Sequence, residues 1–253
     1  MDWAQVETWR KAQRRALIAA REAIGPEGSV ELRERVTAHL AAMLQLPAAC
    51  TVAFCWPYRN EIDTRHAVRA VRERSAGAAM PVVAGKAMPL QFRRWWPGAP
   101  MKKGVLGIPY PDGTPLVHPD LALVPMVAYD DGGYRLGYGG GYFDRTLAAA
   151  APRPIAIGIV ASRFHVPSIH PQPHDISMDF VVTELGVQEC APGGLVPLDA
   201  AVAAARLAAL LAARGLPLPA GANAGTSLAS PVCYAGQFSG YFGELPDVPE
   251  VPR

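Results

Sequence analysis

Apolar residues over the first 46 positions recur at helical spacing. Residues 6–24 read as a basic helix ended by Gly25-Pro26, and residues 28–46 as a second helix. In the second, Val36, Leu40, Met43 and Leu44 fall near one face and Pro47 is the stop. The pattern then changes to short apolar runs typical of buried strands, over residues 51–56, 80–84, 90–96, 120–125, 154–160 and 180–183. Helical segments are expected between them over 61–74 and 142–150. Strand and helix therefore alternate, and the expected class is α/β, with a mainly parallel sheet sandwiched by helices. No internal repeat interrupts this order.

After about residue 187 the composition changes. An Ala-rich helix over 200–213 is followed by a Pro/Gly/Ala/Ser stretch over 215–231, which reads as a linker or extended tail. Tyr234, Phe238, Tyr241 and Phe242 then form a patch too aromatic for a purely solvated tail. The division expected from composition is a domain over 1–186 and an Ala/Pro-rich extension over 187–253.

Composition excludes several classes. Half of the 253 residues are hydrophobic and only 18% are charged, so disorder is not the main state. A net charge of +2 gives no bulk field for nucleic acid or an acidic membrane, and neither partner is expected. The Ala/Leu run is too short to span a bilayer and carries Arg206. The N-terminal segment is basic but lacks the apolar centre of a secretory signal. Cys50, Cys55, Cys190 and Cys233 form no CxxC pair, and free thiols in a reducing cytoplasm are expected. His165, His170 and His174 lie at irregular spacing in a Pro-rich loop, which gives zinc no fixed scaffold. With no GxSxG or similar nucleophile signature, chemistry by positioning and electrostatics is favoured over covalent catalysis.

The strongest local signal is the block Arg135-Leu136-Gly137-Tyr138-Gly139-Gly140-Gly141-Tyr142-Phe143-Asp144-Arg145, after a strand and at the start of a helix. Glycines allow close backbone approach, and N–H groups at a helix start point at an anion. Tyr142 stands where GxGxxG needs glycine, and no GK[ST] follows, so neither dinucleotide nor Walker A fingerprint is present. A phosphate loop and a plain connecting turn both remain open. Lys11, one of only four lysines, and Arg15 are four residues apart on one helical face. They could clamp phosphates or form a solvated basic face. Glu61 follows a strand end, where open α/β sheets bind ligands, yet an acid at a helix start is equally natural there. Asp144 and Asp175 are single carboxylates of the kind magnesium uses together with phosphates and water.

Taken in order, several segments resemble the 5-formyltetrahydrofolate cyclo-ligase (methenyltetrahydrofolate synthetase) family from about residue 8 to about 186. They are Lys11-x-x-x-Arg15 with Arg21, Asn60-Glu61-Ile62-Asp63-Thr64, Gly107-Ile108-Pro109 with Pro111, and Asp120-Leu121 through Arg145. His174-Asp175, Asp179 and Val181-Val182-Thr183-Glu184 complete the set. The resemblance implies a fold related to ribose-phosphate isomerase and CoA-transferase. It also implies ATP- and magnesium-dependent cyclisation of a reduced folate, 5-formyltetrahydrofolate, to 5,10-methenyltetrahydrofolate. The formyl oxygen would be phosphorylated, N10 would attack the activated carbon, and phosphate would leave. Lys11, Arg15, Arg135, Gly137, Gly139, Gly140, Gly141, Tyr142 and Phe143 would then hold ATP, with Arg135 and Tyr142 at the chemistry. Trp56, Glu61, Tyr138 and Tyr142 would touch the folate, and Asp144 and Asp175 would hold magnesium. The chain departs from many relatives at Gly140, where they have lysine, at Arg163, where glutamine is common, and at Gln172, where they have an acid. A non-catalytic nucleotide- or folate-binding regulator and an ATP-dependent paralogue of thiamin-salvage type are the rival readings. A monomer or weak homodimer is expected.

Overall fold

A computed structural model describes residues 1–74 and 76–216. Helix α1 (Trp3–Glu22) opens on a capping box, in which Asp2 accepts from Gln5 N at 2.8 Å and the Gln5 amide accepts from Asp2 N at 2.9 Å. Helix α2 (Pro26–Met43) begins with proline at its first position, where the missing N–H costs nothing. Then come β1 (Thr51–Ala53), α3 (Arg65–Glu73), β2 (Gly77–Val83) and β3 (Leu90–Arg94). A small hairpin of β4 (Met101–Lys103) and β5 (Pro109–Pro111) precedes β6 (Leu121–Pro125). A second hairpin, β7 (Ala128–Tyr129) and β8 (Arg135–Leu136), leads into α4 (Tyr142–Ala149). The chain continues through β9 (Ile155–Ile159), β10 (Phe180–Thr183), β11 (Gly186–Ala191) and β12 (Gly194–Leu198) to α5 (Ala200–Ala212).

The main sheet has eight strands in the order β12-β11-β10-β9-β6-β1-β2-β3. Its five central strands, β10 through β2, are parallel, while β3, β11 and β12 join antiparallel at the edges. The expected α/β architecture therefore holds. Strands β9 and β10 are buried at every position, as their unbroken apolar sequences require of the middle of a parallel sheet. Alternation along the strands sends large and small residues to opposite faces. Val52, Phe54, Leu121, Leu123, Ile155, Ile157, Phe180 and Val182 pack with Val36, Leu40 and Met43 of α2, Val68 of α3 and Leu207 and Leu211 of α5. Ala53, Ala79, Ala122 and Ala156 face the other side, with Ile18 of α1 and Leu147 of α4. Each fully buried leucine or phenylalanine in these layers contributes roughly 1.5–3 kcal/mol.

Two expected elements are shorter than their sequence patterns. The 51–56 run leaves the ladder after Ala53, although Phe54 N still donates to Ala79 O at 3.0 Å. The helix expected from residue 61 starts at Arg65, because Arg59 and Asn60 adopt positive φ and Asp63 draws Arg65 N into a local turn at 3.0 Å. Residues 57–64 thus form a loop at the carboxyl end of β1. The compositional change near residue 187 is not where the sheet ends: β11 pairs with β10, and α5 buries Ala203, Leu207 and Leu211 in the main core. The aromatic patch at Tyr234, Phe238, Tyr241 and Phe242, Cys233 and nearly all of the 215–231 stretch lie outside the described residues. Among the described residues no helix is long and apolar enough to cross a membrane.

Candidate active site

The order of the central strands reverses between β1 and β6, whose connections run to opposite sides. Open α/β sheets bind ligands in the crevice that such a reversal leaves at the carboxyl ends. Here that crevice is a cleft of about 860 Å³, within the range of small-molecule sites. Its walls are α1, the segment after β1, the inner end of β2, the β4–β5 tip, the glycine block and residues 173–176.

The glycine block forms one corner. Gly139 and Gly141 have φ of +93° and +60°, a backbone that glycine adopts without penalty. A Cβ on Gly139 would lie 3.4 Å from the Arg14 guanidinium carbon, one on Gly140 2.8 Å from the Tyr142 ring, and one on Gly141 2.9 Å from Arg145 Nη1. At Gly140 a side chain would collide with the Tyr142 ring, and at Gly139 and Gly141 the positive φ favours glycine. Gly141 starts α4 with no side-chain cap, and the first backbone bond of the helix is Arg145 N to Gly141 O at 3.1 Å. The preceding N–H groups have no intrahelical acceptor and are left for a ligand.

Three arginines surround this corner. Arg14 Nε donates to Gly137 O at 2.8 Å, and burial together with the nearby Arg10 pushes its guanidinium below its ordinary pKa. Arg145 donates to Gly140 O while its Nε is buried without an acceptor. Arg135 is buried, donates from Nη1 to Ile176 O at 2.8 Å, and places Nη2 2.8 Å from Asp144 Oδ1 but outside hydrogen-bond alignment. Burial lowers its pKa and Asp144 opposes that shift. Crowded cations with unsatisfied donors form a site that an anion completes.

The cations that α1 brings to the cleft are Arg10 and Arg14, one residue before the pair picked by spacing. Lys11 and Arg15 are exposed and do not line the cleft. Both pairs have i,i+4 spacing, and only the phase of the helix, fixed by buried Val6, Ile18 and Arg21, selects between them. Arg10 itself is consumed by the protein. It donates to Ile169 O and His170 O at 3.0 Å each and meets both oxygens of Asp175, at 3.3 and 2.5 Å.

Across the cleft, the 57–64 loop presents Glu61. Its Oε2 accepts from Tyr58 N at 3.0 Å and its Oε1 from the Tyr138 hydroxyl at 2.7 Å. Burial raises the Glu61 pKa, and Tyr138, Arg21 and the Tyr58 N–H oppose the rise. Trp56 is half-buried with the Arg65 guanidinium 4.3 Å above its ring. The structure therefore gathers Trp56, Glu61, Arg135, the 137–141 glycines, Tyr138, Tyr142, Phe143, Asp144 and Asp175 around one cleft.

Residues 6–184 match the family described as "5-formyltetrahydrofolate cyclo-ligase family". The chain belongs to this family. It is 31% identical over 123 residues to the 5-formyltetrahydrofolate cyclo-ligase of Haemophilus influenzae, covering 46% of this chain and 66% of that protein. It is 32% identical over 142 residues to that of Mycolicibacterium smegmatis, covering 53% and 73%. Among solved structures, the 5,10-methenyltetrahydrofolate synthetase of Aquifex aeolicus superposes with a TM-score of 0.63 at 27% identity, over 73% of this chain and 94% of that one.

In this cyclo-ligase family member, the sequence pattern did not reveal Arg10, Arg14, Tyr58 or the β4–β5 tip, where Val105 and Leu106 are exposed on the cleft. The signal for Arg10 and Arg14 was present as a second basic pair. The tip showed no apolar pattern, its strands being short, and only Gly107-Ile108-Pro109 beside it entered through the family resemblance.

Glu61 also yields a pH-dependent expectation. An acid whose folded pKa is raised favours folding at low pH and opposes it once ionised, so the penalty appears as pH rises through the folded value. Glu61→Gln is expected to raise the melting temperature at pH 8 and to leave it unchanged well below the ordinary carboxylate range. A thermal melt of both proteins across pH checks this; a Gln variant less stable at pH 8 contradicts it.

Proposed function

We propose that the chain cyclises 5-formyltetrahydrofolate to 5,10-methenyltetrahydrofolate with conversion of ATP to ADP and phosphate. The observation that carries this reading is one cleft holding both an uncapped, arginine-ringed glycine loop and, opposite it, a buried carboxylate. The loop N–H groups and Arg14, Arg135 and Arg145 suit the phosphates of a nucleotide; Arg145 Nε, buried without an acceptor, is the test of fit. Glu61 suits the N–H edge of a pterin, with Trp56 and Tyr138 beside it. The relatives' names supply the folate substrate, and that of the Aquifex aeolicus protein the methenyl product.

The chemistry follows from what a formamide lacks. Its oxygen is a poor leaving group, and accepting a phosphoryl group turns it into phosphate. N10 then bonds to the formyl carbon, the C–O bond breaks, and phosphate leaves as N10 gives up its proton. Such steps need cations and backbone donors placed where charge develops rather than a protein nucleophile. Cys55 does not supply one: it lines the cleft, but burial pushes its thiol pKa far up, which keeps it protonated.

Magnesium, when bound, neutralises charge on the phosphate oxygens. Among the described residues no group of three or more His, Cys, Asp or Glu is placed to hold a metal ion, so the ion would depend on phosphates and water. Asp144 is the carboxylate that fits. Its Oδ1 takes the Ile176 N–H at 3.1 Å and faces Arg135, while no hydrogen bond from the described residues reaches Oδ2. Both oxygens of Asp175 are engaged by Arg10, and Oδ2 also takes Gln172 N at 2.6 Å. Its role is to fix Arg10 and the 170–175 loop. A reaction on ATP and a reduced folate fits the cytoplasm expected from the free thiols Cys50, Cys55 and Cys190.

The deciding assay follows the methenyl product by its absorbance with 5-formyltetrahydrofolate, ATP and magnesium, each omitted in turn. Product is expected only with all three; tight folate binding without product would instead make the chain a regulator. Asp144→Asn is expected to raise the magnesium needed for half-maximal rate about tenfold, the cost of about one charge-assisted contact. An unchanged magnesium curve with a lowered melting temperature would make Asp144 only a helix-start acid.

A further inference from the structure

Tyr138 is the only residue between Gly137 and Gly141 with a side chain, and that side chain leaves the glycine loop. Its hydroxyl donates to Glu61 Oε1 at 2.7 Å and accepts from Arg21 Nη2. Its ring meets Tyr58 edge to face, with centroids 5.7 Å apart. Arg21 is buried in α1 and also donates to Arg59 O at 2.9 Å and Met126 O at 3.3 Å, which fixes the 57–61 loop to the end of β6. One short chain of hydrogen bonds therefore joins the backbone that faces the phosphates to the carboxylate on the opposite wall.

We propose that Tyr138 is a positioning residue that couples the glycine loop to Glu61, so that nucleotide and folate each tighten the other's binding. The inference rests on the functional reading above. A nucleotide that orders the loop fixes the Tyr138 hydroxyl. The hydroxyl then holds Glu61 in the orientation a pterin edge needs, and folate bound first spares the loop the same ordering. By linkage the two effects are equal in size. The hydroxyl is the side-chain contact by which the glycine loop reaches across the cleft.

The test measures binding of 5-formyltetrahydrofolate by calorimetry with and without saturating AMP-PNP and magnesium, in the wild type and in Tyr138→Phe. Phenylalanine keeps the ring on Tyr58 and removes only the hydroxyl from a partly exposed side chain, so the fold is retained. In the wild type AMP-PNP is expected to tighten folate about fivefold or more, the low end of ordinary coupling between sites. In Tyr138→Phe that factor falls to about one, and the reciprocal titration of AMP-PNP gives the same pair of factors. A variant that weakens both ligands but keeps the wild-type factor overturns the proposal, because a purely structural role does that. A wild type that binds both ligands independently also overturns it and leaves the functional reading intact. A wild type that binds neither ligand removes the functional reading, and the coupling with it.

Discussion

Arg10→Ala is expected to cost about 3–5 kcal/mol of stability, because it leaves the Asp175 carboxylate buried without its cation. The side chains of the pair are 7% and 9% exposed, and Arg10 spends its remaining donors on Ile169 O and His170 O. In a domain of this size each kcal/mol moves the melting temperature by about 2–4 °C, so a fall of about 6–20 °C is expected. Lysine does not rescue it, since one ammonium cannot reproduce a fork that reaches two carbonyls and both carboxylate oxygens. Arg10→Ala combined with Asp175→Ala recovers part of the loss, because the orphaned charge disappears with its partner. Lys11→Ala, one residue further on the exposed side, stays within about 0.5 kcal/mol of wild type. Equal melting temperatures for Arg10→Ala and Lys11→Ala would show that the buried pair holds nothing.

Arg14→Ala is expected to raise the KM for ATP about 10- to 100-fold, the range of one or two charge-assisted bonds worth roughly 1.5–3 kcal/mol together. Arg14 uses Nε on Gly137 O, and its two terminal nitrogens donate to no acceptor among the described residues. Burial first, and Arg10 next, lower its pKa, so an anion placed on its free terminal nitrogens would favour its charged form. Lys11→Ala with Arg15→Ala should change the same KM less than about threefold, as rim or surface charges do. Steady-state kinetics on these two variants distinguishes the two faces of α1. Should the outer pair prove the sensitive one, α1 presents a different face to the nucleotide.

Those variants also mark where the sequence stops being legible. Strands β6, β9 and β10 announce themselves because they are buried on both faces, and burial demands unbroken apolar runs. Strands β11 and β12 sit at the sheet edge with one buried residue between them, so their sequence resembles loop. The glycine block, Glu61 and Asp144 were found because their chemistry is local: consecutive glycines, a helix start, a strand end. Arg10 and Arg14 were hidden by an adjacent basic pair of identical spacing. Asp175 was visible as a carboxylate, yet its principal partner lies 165 residues earlier in the chain, and no local pattern carries that distance. Tyr138 was visible as a cleft residue, whereas its bond to Glu61 exists only once β6, which leads into the β7–β8 hairpin, pairs beside β1.

The reach of α1 has a consequence for the order in which the protein is built. Helix α1 precedes every strand of the fold in sequence, but its inward donors find their acceptors at Gly137, Ile169, His170 and Asp175. Contacts so distant in sequence form late, since the chain must close long loops before they are rewarded. A nascent chain can stack β1, β2 and β6 while α1 still waits beside them with unpaired arginines. The glycine corner is sealed only when the segment around Asp175 docks, so a fragment ending before it carries the glycine loop but not the wall that holds it. The first helix of this fold is thus among the last to be locked, since the carboxylate that holds it lies 165 residues further along.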